Sequence, residues 1–189
     1  MGVTVTNLIA GPADIYIGAF GATEPADSAV NTTPSASVWT DMGGTQDGVK
    51  LVVKQEYFEL EVDQIVDRVG SRLSKREVTI EANLAEPTLA NIANVLNGGT
   101  VTASAAFATY DAVNDSSATQ PTYKAIIIDG WAPGVSPFRR RIIVRKVLSI
   151  DGIKEQEYKK DGQILLPSSF IGHYVSSAIR PFRIIDQLT

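Results

Sequence analysis

Apolar and polar positions alternate with period two along much of this chain, and that alternation predicts strands. Val49, Leu51 and Val53 fall on one face, with Lys50 and Lys54 on the other. By Phe58, Leu60 and Val62 the apolar set has moved to even positions. A shift of phase predicts a bulge or bend near Gln55–Tyr57, because a one-residue slip exchanges the two faces of a strand. Beyond it Glu59, Glu61 and Asp63 share the polar face, spaced about 7 Å apart. Residues 64–71 are expected to turn the chain. Arg72–Leu84 then returns, with Val78, Ile80, Ala82 and Leu84 alternating against Glu77, Thr79, Glu81 and Asn83. Residues 49–84 thus read as one long β-hairpin whose far half is highly charged.

The remaining pattern adds shorter strands and one helix. Strands are expected at Asp14–Phe20, Val38–Met42, Tyr123–Trp131, Phe138–Ile150, Gln163–Leu166 and Phe182–Ile185, from their β-branched and aromatic residues. Residues 21–37 and 109–121, rich in Gly, Ser, Thr, Asn, Asp and Pro, read as loops. The helix is expected over Glu86–Leu96 (86–97 with its cap). Leu89, Ile92, Ala93 and Leu96 form one apolar stripe, Pro87 suits a first turn, and Asn97-Gly98-Gly99 supplies the stop. A lone amphipathic helix must lay its stripe on a sheet. The expected fold is therefore mainly β (α+β): two packed β-sheets forming a sandwich or barrel, flanked by one helix. Residues 1–189 make one domain, with an N-terminal arm (1–12) and a C-terminal tail (183–189).

Composition narrows the chemistry. The 189 residues include no cysteine and one histidine, and the formal net charge is −4. No thiolate site and no usual zinc set can be built. His173 stands without a nucleophile elbow or other triad signature, so a structural role is expected for it, with no catalysis. No phosphate loop, EF-hand or dinucleotide motif is present, and no cofactor or metal is expected. No signal peptide or membrane helix is expected either. Arg139, Arg140, Arg141, Arg145 and Lys146 form a basic cluster, yet aromatic interleaving for base stacking is missing. Pairing with acids on a neighbouring strand or subunit is the expected use of these cations.

Several segments, taken in order, resemble the tail tube (major tail) proteins of long-tailed, siphophage-type bacteriophages. They are Gly11–Phe20 followed by Thr23-Glu24-Pro25, Trp39–Gly43 with Asp47-Gly48-Val49, Glu61-Val62-Asp63-Gln64, and Leu84–Asn91 ending in Asn97-Gly98-Gly99. They span the first hundred residues, and no single piece is a strict motif. The resemblance implies a structural virion protein, present in the bacterial host cytoplasm during assembly and in the virion tail afterwards. It implies self-assembly into hexameric rings stacked as a tube, with tape-measure and tail-terminator or distal-tail proteins as partners. Genomic DNA would pass through the lumen without sequence-specific binding.

Two roles for the hairpin follow. Glu59, Glu61, Asp63 and Asp67 are candidates for an acidic lumen lining, since DNA carries one negative charge per about 1.7 Å of helix axis and a basic wall would hold it. Gln64, Arg68, Arg72, Lys75 and Arg76 are candidates for contacts between subunits or rings. The alternatives are a related ring-forming tube or distal-tail/baseplate protein, or a β-sandwich binding module.

Overall fold

The computed structural model of the chain describes residues 2–134, 138–153 and 156–188. Met1 of the expected arm and Thr189 of the expected tail lie outside the described residues. Ten strands and one α-helix follow one another: β1 (Asp14–Ala19), β2 (Trp39–Asp41), β3 (Thr45–Val62), β4 (Ile65–Leu84), α1 (Leu89–Val95), β5 (Thr100–Ala103), β6 (Ala108–Asp111), β7 (Lys124–Trp131), β8 (Arg139–Ser149), β9 (Leu166–Gly172) and β10 (Phe182–Asp186). Eight of them form one antiparallel sheet in the order β2-β1-β7-β8-β9-β4-β3, with β10 also paired to β8. β5 and β6 make a separate two-stranded sheet. The expected mainly-β architecture with a single α-helix is present.

The large sheet branches at β8. One edge of β8 pairs with β7, while the other is shared by β10, opposite Arg140–Val144, and β9, opposite Val147–Ser149. Ile15, Ile17, Ile126, Ile128 and Val144 join Val78, Ile80, Ala82, Leu84, Leu166 and Phe170 in one buried cluster. A seven-residue helix cannot cover the inner faces of so many strands. The two expected layers are therefore limbs of one sheet that closes over its own core. The opposite face of β1, β7 and β8 buries Tyr16, Ala125, Ile127 and Ile143 with Trp39.

Residues 21–38 contain only the 3-10 turn Asp27–Ala29, as expected of a loop, but they form a fixed cover. Trp39 donates its indole N–H to the Thr23 carbonyl at 3.0 Å. The Arg141 guanidinium reaches the carbonyls of Ala29 and Thr32 at 3.1 and 2.7 Å.

The helix starts at Leu89, the first residue of its apolar stripe, and not at Glu86 as expected. Thr88 is the N-cap, its hydroxyl accepting from the Asn91 N–H at 3.2 Å, which meets the need of an orphan first-turn donor. Glu86 is held outside the helix because its carboxylate accepts from the Gly44 N–H at 3.0 Å. Asn97 at φ 58° and the two glycines after it end the helix, as expected.

Three other expectations are corrected. The strand expected at Gln163–Leu166 starts at Leu166 and runs to Gly172; the Pro167-Ser168-Ser169 run hid it, although Ser168 is buried and gives its hydroxyl proton to the Ala82 carbonyl. The region read as loop from 109 includes most of β6, paired with β5. Residues 183–186 are no free tail: they lie in β10, and the Gln187 N–H bonds the Arg139 carbonyl beyond it.

Candidate assembly surface

β3 and β4 are the longest strands, 18 and 20 residues, and they outrun the sheet. β4 pairs with β9 only between Val78 and Leu84. From Gln55–Arg76 outward the two strands have only each other, making a two-stranded ribbon that projects roughly 25 Å. Among the described residues no strand pairs with the outer edge of β3, or with that of β4 from Ile65 to Glu77.

The turn is tighter than the sequence suggests. Asp63 and Gln64 alone join the strands, and β4 begins at Ile65, so most of the expected 64–71 turn is strand. The irregularity expected near Gln55–Tyr57 is present between Glu56 and Tyr57, but the extra residue is Ser74, on β4. Its hydroxyl donates to the Glu56 carbonyl at 2.9 Å. Because β3 takes no extra residue there, its faces keep alternating. Phe58 and Leu60 lie on the Lys50–Lys54 side, opposite Val49, Leu51 and Val53. The apolar set thus changes sides where the ribbon leaves the body.

Coverage changes with it. Val49 and Leu51 pack against the chain's own core, whereas most of the ribbon's apolar side chains are left exposed by the described residues. Tyr57 is 56% exposed and Phe58 63% exposed, and Val62, Ile65, Val66, Val69 and Leu73 are exposed as well. A two-stranded ribbon is marginal in water by itself, and contiguous exposed apolar surface marks an interaction site.

The candidate lining residues do not form one uniform carboxylate face. Glu59 and Glu61 share a side of β3, but Asp63 sits in the turn and Asp67 on β4. Glu59 is ion-paired with Arg68 at 2.6 Å. Of the candidate contact residues, Lys75 pairs with Glu77 at 2.7 Å. That mutual bond raises the Lys75 pKa and lowers that of Glu77. Among the described residues Arg72, Arg76, Glu56 and Glu61 close no ion pair.

The basic cluster behaves differently. Arg141 is fully buried and binds Asp129 with two bonds of 2.7 and 2.6 Å. Arg140 grips Asp186 at 2.6 and 2.7 Å, and Arg145 grips Glu24. These bonds hold the Arg140 and Arg145 pKa values above their usual range and that of Asp186 below it. Arg139 stacks 4.3 Å over Trp131, and Lys146 lies 4.2 Å from the Tyr123 ring centre. The expected pairing with acids is present within the chain for Arg140, Arg141 and Arg145, while Arg139 and Lys146 lie over aromatic rings.

His173 packs edge-on against Tyr123 with ring centres 5.2 Å apart. Its Nε2 has no hydrogen-bond partner. Burial first, and the Lys146 charge second, push its pKa down.

The N-terminal arm, residues 2–12, holds one 3-10 turn, Val5–Asn7. It exposes Val3, Val5, Leu8 and Ile9 and carries no charged side chain. Gly11 sits against the Trp131 indole, where a Cβ would come within 2.3 Å of Nε1.

No protein-family model matches this chain, and no curated protein matches it. No helix among the described residues is long and apolar enough to cross a membrane. No cluster of three or more His, Asp or Glu side chains among them is arranged to hold a metal ion.

The hairpin and its charge are legible in the sequence. Ser74 as the bulged residue and the open β4 edge are not. The exchange of apolar parity at Phe58 is visible there too, but that it means exposure on the far face depends on which strand takes the extra residue.

Proposed function

We propose that this chain is a structural subunit of a long-tailed bacteriophage, assembling into hexameric rings that stack as the tail tube. The observation that carries the reading is the ribbon from Gln55 to Arg76. It has two open hydrogen-bonding edges and a row of uncovered apolar side chains, so burying it requires a partner. Copies of the same chain around an axis supply edges on both sides at once. An interface that joins unlike surfaces and closes by rotation gives a ring, and translation along the axis gives a tube.

In this reading Phe58, Leu60 and Val62 turn outward to be covered by subunit bodies. Glu59 and Glu61, on the opposite face, turn toward the axis. Arg68 tempers the charge there, so the wall is acidic but not uniformly so, and DNA passes without a sequence-specific hold. The uncharged, apolar N-terminal arm serves as a second packing element between copies. Tape-measure and tail-terminator or distal-tail proteins would meet the tube's interior and ends. The chain performs no catalysis.

Negative-stain microscopy of the concentrated protein tests this. Long hollow tubes of stacked rings are expected. Isolated rings would instead favour a distal-tail component, and a permanent monomer would favour a β-sandwich binding module and sink the proposal.

A further inference from the structure

The charges of the free ribbon are sorted by strand. From Gln55 to Val62, β3 carries Glu56, Glu59 and Glu61 and no cation; from Ile65 to Arg76, β4 carries Arg68, Arg72, Lys75 and Arg76 against one acid, Asp67, near the tip. Three of these charges are used within the chain, since Glu59 pairs with Arg68 and Lys75 is held by Glu77. What closes no ion pair among the described residues is acidic on β3 (Glu56, which faces Lys75 across the strands, and Glu61) and, away from Asp67 at the tip, basic on β4 (Arg72, Arg76). The ribbon therefore presents one acidic and one basic open edge.

We infer that this sorting selects the partner edge: the acidic β3 edge of one copy pairs with the basic β4 edge of the next, antiparallel, and like edges are refused. The inference rests on the ring-forming reading and specifies how neighbours recognise one another. Opposite charges facing each other across strands stabilise a sheet, and like charges destabilise it. A symmetric β3–β3 contact would set Glu56 and Glu61 among their own copies. A β4–β4 contact would do the same with Arg72 and Arg76. Of the three pairings, the unlike one sets Glu56 and Glu61 against the cations of β4, and each copy keeps one edge of each kind available, so the chain of contacts continues until it closes. Pairing runs the same way on both ribbon faces. Glu56, Arg72 and Lys75 lie on the Phe58 side, whereas Glu59, Glu61 and Arg76 lie on the other, as the register requires.

Charged open edges also serve in natural sheets to prevent association. The two uses differ in outcome. A guarding charge, once neutralised, lets edges stick, whereas a pairing charge, once neutralised, weakens assembly.

The decisive experiment uses three full-length variants whose unfolding is first matched to the parent's. They are Glu56→Lys with Glu61→Lys, Arg72→Glu with Arg76→Glu, and the combination of all four. Each pair alone should raise the assembly threshold on the order of tenfold, while an equimolar mixture of the two should assemble. The fourfold variant should assemble by itself yet be excluded from rings of the parent chain, read by energy transfer between labelled subunits within a ring. Free mixing of fourfold and parent chains would overturn the inference, because charges that act only inside each ribbon would be indifferent to the neighbour. Stronger assembly of Glu56→Gln with Glu61→Gln would also overturn it. A salt series on the parent chain tests the same point without any variant. Assembly should weaken as the screening length falls from about 10 Å at 0.1 M to about 3 Å at 1 M, and indifference to salt counts against charge pairing. A parent chain that never assembles would instead remove the ring-forming reading itself.

Discussion

The body and the ribbon of this chain are built from the same strands and obey opposite rules. In the body, β4 buries Val78, Ile80, Ala82 and Leu84, and Arg140, Arg141 and Arg145 of β8 are satisfied by Asp186, Asp129 and Glu24. Nearer its start, the same strand leaves Ile65, Val66, Val69 and Leu73 in solvent and Arg72 and Arg76 without an ion pair among the described residues. The body completes its contacts within one chain. The ribbon has the composition of an interface but only half of one.

The largest expected effect lies in amide exchange. Local openings span free energies from near zero to the full global stability, which is about 5–15 kcal/mol for a domain. In the unassembled chain, amides of residues 55–76 should exchange near the low end, since only one strand partner holds them. Those of β7 and β8 should exchange near the global limit. In assembled material the ribbon should approach the body's protection. Equal protection of the ribbon in both states would erase the contrast and remove the reason to look for a partner.

Mutational stability gives the next contrast. Asp129→Ala leaves the Arg141 guanidinium buried without its carboxylate, and breaking a buried pair costs about 3–5 kcal/mol. Urea unfolding should register that loss directly. Phe58→Ala, on the exposed ribbon, should shift the unfolding of the unassembled chain by less than about 0.5 kcal/mol and impair assembly instead. A large loss of monomer stability from Phe58→Ala would show that the ribbon packs on its own body.

The same contrast explains what the sequence could and could not reveal. Period-two alternation located the hairpin strands β3 and β4, and β-branched and aromatic content located β1, β7, β8 and β10; β1 and β7 are buried on both faces, so their apolar runs are continuous. Both signals failed at β9, where Pro167, Ser168 and Ser169 break the apolar signal although Ser168 and Ser169 are buried. Burial there is made tolerable by hydrogen bonds such as Ser168 to Ala82, which composition does not display. The helix was overextended because Glu86 fits a first turn by propensity, while a contact 42 residues away, to Gly44, holds it elsewhere. The parity change at Phe58 was legible as an event. Its meaning was not, since a bulge on either strand produces it, and only the paired register assigns the extra residue to Ser74. The acidic lining rests on carboxylates alone, Glu59, Glu61, Asp63 and Asp67; Arg68, arriving from β4, belongs to the same surface as Glu59.

The smallest effect concerns the only histidine in the chain. His173 lies in the body, against Tyr123 and under the influence of Lys146, and its pKa is lowered by burial and then by that cation. The folded state therefore binds its proton less readily than the unfolded chain does. Where the unfolded imidazole is protonated and the folded one is not, stability rises with pH. Its contribution is complete above the ordinary histidine value of about 6.5 and is lost as the pH falls through the lower folded value. Carboxylates titrate mostly below this interval, so a decline in unfolding free energy between about pH 7 and 5.5 isolates the imidazole. His173→Phe keeps a ring against Tyr123, removes the unpartnered Nε2 and should flatten that decline. An unchanged slope in the Phe variant would place the titration elsewhere. His173 follows Gly172, which pairs with Val78 at the ribbon's base, but its imidazole meets Tyr123 and Lys146 and no charged side chain of the ribbon. The same substitution should therefore leave the salt dependence of assembly as it was, which separates the body's response to protons from the ribbon's response to charge.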